Sequence, residues 1–494
     1  MLKKLNARFY SLIYLRDLSK NKESIINYNK NLLENNTTEN ESLNVSDQHV
    51  SKLRTRAYIW GGGYYGALGN ERLLRPKVGK NIRYSVKAPM HLYFADKYKI
   101  KNIACGYGYT MFVSNKKLYG CGINVNSQIG FHEARKNSGK GLNFILEPVP
   151  IMIPSDRIIK AAAGQNHTLV LTSDGVFSFG CNRFGQCARE VITDENYENN
   201  PLIYKIPSKH FDSPVNDVVC GENTSYFLTA SGLLYSCGHG LYGQIGDGQM
   251  NLMNPVPVLL NFASSSDTTM LSNDDKIIKV ACRSNTTMAL TAKGKVFAWG
   301  SGEHSQFTLF SDLKSRSNIL EGHKFDLSAT NFPRPLLLFD SPDERDCKDV
   351  PKDNAAISNH GTIKGRQIVD IACTNSMCCV LDGPTGTLHV WGMGPLGLGP
   401  LVNHSQIPLA IPKPLFFDEP VVQIVAGYSQ FCAKTRAGNL FTWGDNTCGA
   451  LGLGLLYSKT TKSLNQYHFP QQVSLMQRNI KDISAGYDHI AIVA

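Results

Sequence analysis

Ala163-Gly164-Gln165-Asn166-His167 leads straight into Thr168-Leu169-Val170-Leu171-Thr172-Ser173-Asp174-Gly175-Val176-Phe177-Ser178-Phe179-Gly180, and together they hold one copy of a repeated unit. Apolar residues run into Ser173-Asp174-Gly175, where a glycine can take positive φ, and period-two alternation then resumes up to Phe179. The segment reads as a hairpin. Outward from it, a bulky or sulfur-bearing residue stands directly before glycine seven times, at Trp60, Cys121, Phe179, Cys237, Trp299, Trp391 and Trp443. A second anchor, usually glycine, precedes six of these, at Gly106, Gly164, Gly221, Arg283, Thr374 and Gly427. The two anchors of a pair are 15 to 17 residues apart, whereas successive bulky anchors are 52 to 92 apart. Packing fixes the length of a copied unit and leaves its joining loops free to drift.

The same turn grammar recurs at Thr229-Ala230-Ser231-Gly232, Thr291-Ala292-Lys293-Gly294 and Thr435-Arg436-Ala437-Gly438. Gly66-Ala67-Leu68-Gly69, Gly243-Gln244-Ile245-Gly246 and Gly449-Ala450-Leu451-Gly452 mark exits after the bulky anchors. A seventh small anchor, Ala485-Gly486-Tyr487-Asp488-His489, is followed by no hairpin partner, and Tyr58-Ile59-Trp60-Gly61 has no matching strand ahead of it. Each end lacks what the other holds. A ring in which the last strands share a sheet with the first supplies both and leaves no open sheet edge. The expectation is an all-β, seven-bladed β-propeller over residues 57–494, closed by pairing of N- and C-terminal strands.

These anchors resemble the regulator-of-chromosome-condensation repeat family. Its pattern of a small-residue-glycine pair, a histidine three positions on and a later aromatic-glycine pair is matched by Ala163-Gly164 through His167 to Phe179-Gly180 and Gly185. Ala104-Cys105-Gly106-Tyr107-Gly108, Ser127-Gln128-Ile129-Gly130-Phe131-His132, Leu146-Glu147-Pro148 and Phe184-Gly185-Gln186-Cys187 are similar to blocks of a mitochondrial member of that family. WD and kelch propellers fit less well, because no Trp-Asp ending recurs and the run Gly61 to Gly63 occurs once.

The first residues read differently. Residues 1–22 begin with Lys3, Lys4, Arg8 and Arg16 among Leu2, Leu5, Phe9, Leu12, Ile13 and Leu15, with no acidic residue before Asp17. That composition suits a mitochondrial targeting segment. Residues 23–56, rich in Asn and Glu, read as a disordered linker. The gap from Trp299 to Trp391 carries about 34 residues beyond the usual spacing, which points to a polar insertion at about 304–366. No run approaches the roughly 18 apolar residues that cross a bilayer, so no transmembrane segment is expected and peripheral membrane contact stays open.

Thirteen cysteines invite a metal or disulfide reading, and their register argues against both. Cys105, Cys220, Cys282 and Cys373 occupy the slot of Ala163, Ala426 and Ala485, and no Cys-x-x-Cys pair occurs. His167 and His489 share a slot with Tyr109, Thr224, Thr286, Met377 and Gln430, so acid-base chemistry is not required there. Both read as structural, hydrogen-bonded within a blade. No nucleophile elbow, phosphate-binding loop, metalloprotease helix or dinucleotide fingerprint is present in a fitting context. Neither a catalytic residue, a metal nor a cofactor is expected.

The formal net charge is +11. Arg135-Lys136-Asn137-Ser138-Gly139-Lys140 forms a basic loop after the second bulky anchor, and Arg183 with Arg189 lies in the next exit. Arg135, Lys136, Lys140, Arg183 and Arg189 are therefore the candidate surface for RNA phosphate or an acidic partner. The resemblance to the mitochondrial member implies a scaffold that binds mitochondrial ribosomal RNA or its assembly factors. It also implies guanine-nucleotide exchange on the dynamin-like GTPase of inner-membrane fusion, and the family's founding activity implies exchange on a small GTPase at chromatin.

Overall fold

The computed structural model describes residues 56–79, 81–262, 275–307, 329–336, 367–454 and 465–494. Among these residues, 28 strands form seven four-stranded sheets, each antiparallel throughout. This is the expected all-β propeller of seven blades. Blade 1 runs outward as β27 (Asp482–Ala485), β28 (His489–Val493), β1 (Ala57–Gly62) and β2 (Ser85–His91). Blade 2 comprises β3 (Asn102–Cys105), β4 (Tyr109–Val113), β5 (Leu118–Ile123) and β6 (Phe144–Ile151). Blade 3 spans 158–205, blade 4 215–259, blade 5 277–335, blade 6 368–410 and blade 7 421–472. A short helix, α1 (Tyr93–Tyr98), joins blades 1 and 2.

Closure is carried by β1 against β28. Ala57 pairs with Val493, Ile59 with Ala491 and Gly61 with His489. Beyond the last pair, Arg56 and Ala494 exchange backbone hydrogen bonds of 3.0 and 2.7 Å.

The bulky-residue-glycine signature has a mechanical origin. The third strand of a blade shifts register at that glycine, as at Gly61, Gly122, Gly238, Gly300, Gly392 and Gly444. Those six glycines have φ between 97° and 114°, a region that side chains rarely enter. Space closes the matter, because a Cβ on Gly300 would lie 2.0 Å from the Asn285 carbonyl oxygen. The bulge turns the preceding residue inward. Trp60, Trp299, Trp391 and Trp443 are fully buried, and three of their indoles donate to the exit turn of the preceding blade. Those bonds run from Trp60 to the Ala450 carbonyl at 2.9 Å, Trp299 to Gln244 at 3.0 Å and Trp391 to Gln306 at 2.9 Å. These three anchors are thus stitches between blades, which is why their spacing cannot drift.

The long interval at 304–366 is partly blade. It contains β18 (Ala329–Pro335), the outer strand of blade 5, paired to β17 (Val296–Ser301). Its remaining stretches, 308–328 and 337–366, lie outside the described residues, as do the targeting segment and the linker up to residue 55. No helix among the described residues is long and apolar enough to cross a membrane.

Candidate functional site

In an antiparallel four-strand meander alternate connections emerge on the same side. The turns from first to second strand and the loops from third to fourth strand therefore share one face, called here the upper face. Gly106-Tyr107-Gly108, Gly427-Tyr428-Ser429 and the basic loop all belong to it.

The innermost strands line an axial channel of about 270 Å³. Its charges pair across blades: Lys160 donates to Asp217 at 2.5 Å, Lys279 to Asp370, and Asn102 to Asp482 at 2.9 Å. Burial holds the Asp482 carboxyl above its ordinary range. Arg283, which stands where five blades have glycine, crosses the upper mouth and donates to the carbonyls of Ala426 at 3.0 Å and Ala485 at 2.6 Å. Tyr107, Tyr428 and Tyr487 cluster beside it, with ring centroids 4.5 to 5.8 Å apart. The guanidinium and the three rings cap the channel, whose lysines are paired with aspartates of the next blade.

The histidine slot works between blades, not within one as the sequence suggested. His167 meets the Ser225 hydroxyl of blade 4 at 3.0 Å, and His489 meets the Thr110 hydroxyl of blade 2 at 2.9 Å. The ring sits at the start of a second strand and points sideways, so that Nε2 reaches the neighbouring blade. Identical placement gives different charge, neutral at His167 and positive at His489. Ser225 commits its proton to the Gln186 carbonyl, so His167 donates through Nε2, and its buried Nδ1 has no partner. Burial lowers its pKa to about 4. Thr110 likewise commits its proton to the Ala67 carbonyl, but Nδ1 of His489 lies 3.2 Å from the Asp488 carboxylate and must also carry a proton. Burial alone would lower this ring's pKa; the Cys105 sulfur and Asp488 override it and hold it near 10.

The candidate surface residues separate. Arg135, Lys136 and Lys140 are exposed on a hairpin whose backbone amides at Asn137 and Gly139 bind the Glu133 carboxylate at 3.0 and 3.3 Å. The hairpin leans on the exit loop of blade 3, with the Gly141 amide donating to Asn199 at 2.7 Å. Arg183 is exposed in that loop. Arg189 is corrected to a structural role: it is 9% exposed and ion-paired with Glu195, because the turn at 190–195 folds that carboxylate back onto it. The two loops do meet, yet Glu190, Asp194 and Glu198 interrupt the positive field.

A stronger basic segment escaped sequence reading. Residues 71–87 of blade 1 carry six basic residues against Glu71. Arg72, Arg75, Lys77, Arg83 and Lys87 are all exposed, and none forms an ion pair among the described residues. Its charges are spaced two to four apart among Leu, Val and Ile, so no run of like charge announced it. The twelve described cysteines are free, and burial pushes thiols such as Cys187 up to about 12, out of the reactive range.

The fold and its inter-blade stitches define a repeat propeller of the regulator-of-chromosome-condensation kind. Models of the RCC1 repeat match residues 56–113, 231–290 and 437–493, and 158–186, 215–244, 277–306 and 421–450. This chain belongs to that family. It is 33% identical over 471 residues to a mouse RCC1-like G exchanging factor-like protein, covering 90% of this chain and 89% of the relative. The crystal structure of human WBSCR16 superposes with a TM-score of 0.70 at 31% identity, covering 89% of this chain and 98% of that one. Prp20p of Saccharomyces cerevisiae shares the fold, with a TM-score of 0.64 at 19% identity and coverage of 90% and 92%.

Proposed function

We propose that this protein is a non-catalytic platform of the mitochondrion that binds ribosomal RNA or its assembly factors through the upper face. The observation that carries the reading is the set of exposed Arg and Lys side chains on that face, Arg72, Arg75, Lys77, Arg83, Lys87, Arg135, Lys136 and Lys140, none of them ion-paired among the described residues. Phosphate is the chemistry such groups recognise without further machinery. The basic composition of residues 1–16, which hold no acidic side chain, supports the compartment. Proximity labelling in intact cells is expected to return mitochondrial ribosome components and assembly factors. A labelled set drawn from chromatin or nuclear transport would overturn it.

Guanine-nucleotide exchange is the second reading, favoured by the name of the mouse relative and by the binding of Gsp1p named for Prp20p. Exchange requires only a surface that binds the nucleotide-free GTPase better than the loaded one. Its substrate would be the dynamin-like fusion GTPase or a small GTPase, and release of labelled GDP that is unchanged by this protein would exclude it.

A further inference from the structure

Two pairs of aromatic rings stand beside the basic segment of blade 1. Tyr64 stacks on Tyr84 with centroids 5.5 Å apart and planes 16° from parallel, and Tyr65 stacks on Phe144 at 5.6 Å and 13°. All four are 46 to 50% exposed. That is costly for large apolar rings, and Tyr64 and Tyr65, which are consecutive in the chain, place one pair on either side of the turn after β1. The backbone places them deliberately. The Gly63 amide donates to the Tyr84 carbonyl at 2.8 Å, so the turn after β1 is tied to the entry of β2. Phe144 opens β6 of the next blade opposite Ile123. Tyr65 also lies over Gly108, where a Cβ would come within 3.3 Å of its ring, next to the capping tyrosines of the channel.

The charges are set alongside. The Arg83 amide donates to the Leu73 carbonyl at 2.8 Å, closing the 72–83 loop around a surface bay of about 700 Å³ lined by Arg72, Lys77 and Arg83. Arg83 directly precedes Tyr84, and the basic hairpin at 135–140 leads into Phe144.

We infer that Tyr84, Tyr64, Tyr65 and Phe144 form a stacking platform for unpaired bases of single-stranded RNA, with Arg72, Lys77 and Arg83 following its phosphates. Parallel rings with open outer faces accept any base, and guanidinium groups at their edge neutralise the backbone between stacked bases. A-form duplex, whose bases are already stacked on each other, offers such rings nothing. A protein partner would use the same rings as apolar anchors, but Arg72, Lys77 and Arg83, exposed in the same loop and without an ion pair among the described residues, outnumber Glu71 and Asp488 and favour a polyanion. The inference rests on the RNA reading above and adds the surface and the strand state.

The test is fluorescence anisotropy of the full chain with a labelled, unstructured RNA of about 16 nucleotides, and with its duplex. The single strand is expected to bind more tightly than the duplex. Tyr65→Ala with Phe144→Ala is expected to weaken single-strand binding about tenfold at unchanged salt slope. Arg72→Glu with Arg83→Glu should lower the slope of log K against log salt by about 0.7 per lost contact. Tyr65→Phe should restore binding, and unchanged melting temperatures certify the fold of each variant. Equal binding of strand and duplex, or aromatic variants that bind as the parent does, would overturn the platform while leaving RNA recognition by charge intact. Retained RNA binding with loss of a labelled protein neighbour would mark the rings as a protein contact. No binding of either RNA by the parent would remove both readings.

Discussion

Removing residues 489–494 is expected to abolish the cooperative unfolding transition of the whole ring, not merely of one blade. The deleted strand is β28, which lies between β27 and β1 in the sheet, and it carries Ile490, Ala491, Ile492 and Val493, each at most 1% exposed. Burying one Ile or Val contributes roughly 1.5–3 kcal/mol, so the three large side chains alone approach the about 5–15 kcal/mol that holds a typical domain together. The truncation also leaves β1 and β27 as bare sheet edges facing one another, which invites aggregation. Thermal unfolding followed by circular dichroism, with size-exclusion chromatography, checks this. A truncated chain that stays monomeric and melts with the parent would contradict circular closure.

Stability should fall on both sides of neutrality, for reasons assigned to two different histidines. His489 has its pKa raised by folding from 6.5 to about 10, so its contribution is complete below 6.5 and is lost as pH climbs through that window. His167 is depressed from 6.5 to about 4, so its contribution is complete above 6.5 and is lost as pH falls toward 4. Each pH unit inside a window changes stability by on the order of 1.4 kcal/mol for a single ring. His489→Gln is expected to flatten the alkaline limb only, and His167→Gln the acidic limb only. Glutamine is the natural occupant of this slot at Gln430, where it donates to the Gly486 carbonyl at 3.3 Å, so the change is compatible with the fold. Denaturant midpoints measured from pH 4 to 10 decide it; an alkaline limb that persists in His489→Gln would show that the ring is not the charged group.

The fold was legible because its constraints are local and repeated. A tryptophan that must reach the neighbouring blade, and a glycine that must take positive φ beside a carbonyl, leave marks at fixed spacing, as at Trp299-Gly300. The direction in which the slot residues act was not legible, because His167 reads the same whether it bonds within its sheet or across to Ser225. Surface chemistry was legible only where charge is contiguous. Arg135-Lys136 announces itself; Arg72, Arg75 and Arg83 do so only when the loop brings them together. Arg189 shows the opposite failure, since nothing in its neighbourhood reveals that Glu195 folds back to bury it. The stacking of Tyr65 on Phe144 joins residues 79 apart on two blades and needed the closed ring to be seen.

Ultraviolet crosslinking of RNA to this protein in living cells tests most directly whether the ring is an RNA platform. Mitochondrial ribosomal RNA is expected among the adducts, with the crosslinked peptides falling on upper-face segments 64–87 and 131–144. Charge reversal at Arg135, Lys136 and Lys140 is expected to reduce recovery on the order of tenfold, as phosphate contacts turn repulsive. Recovery no greater than that of a protein without RNA contacts, or adducts confined to the opposite face, would contradict the account.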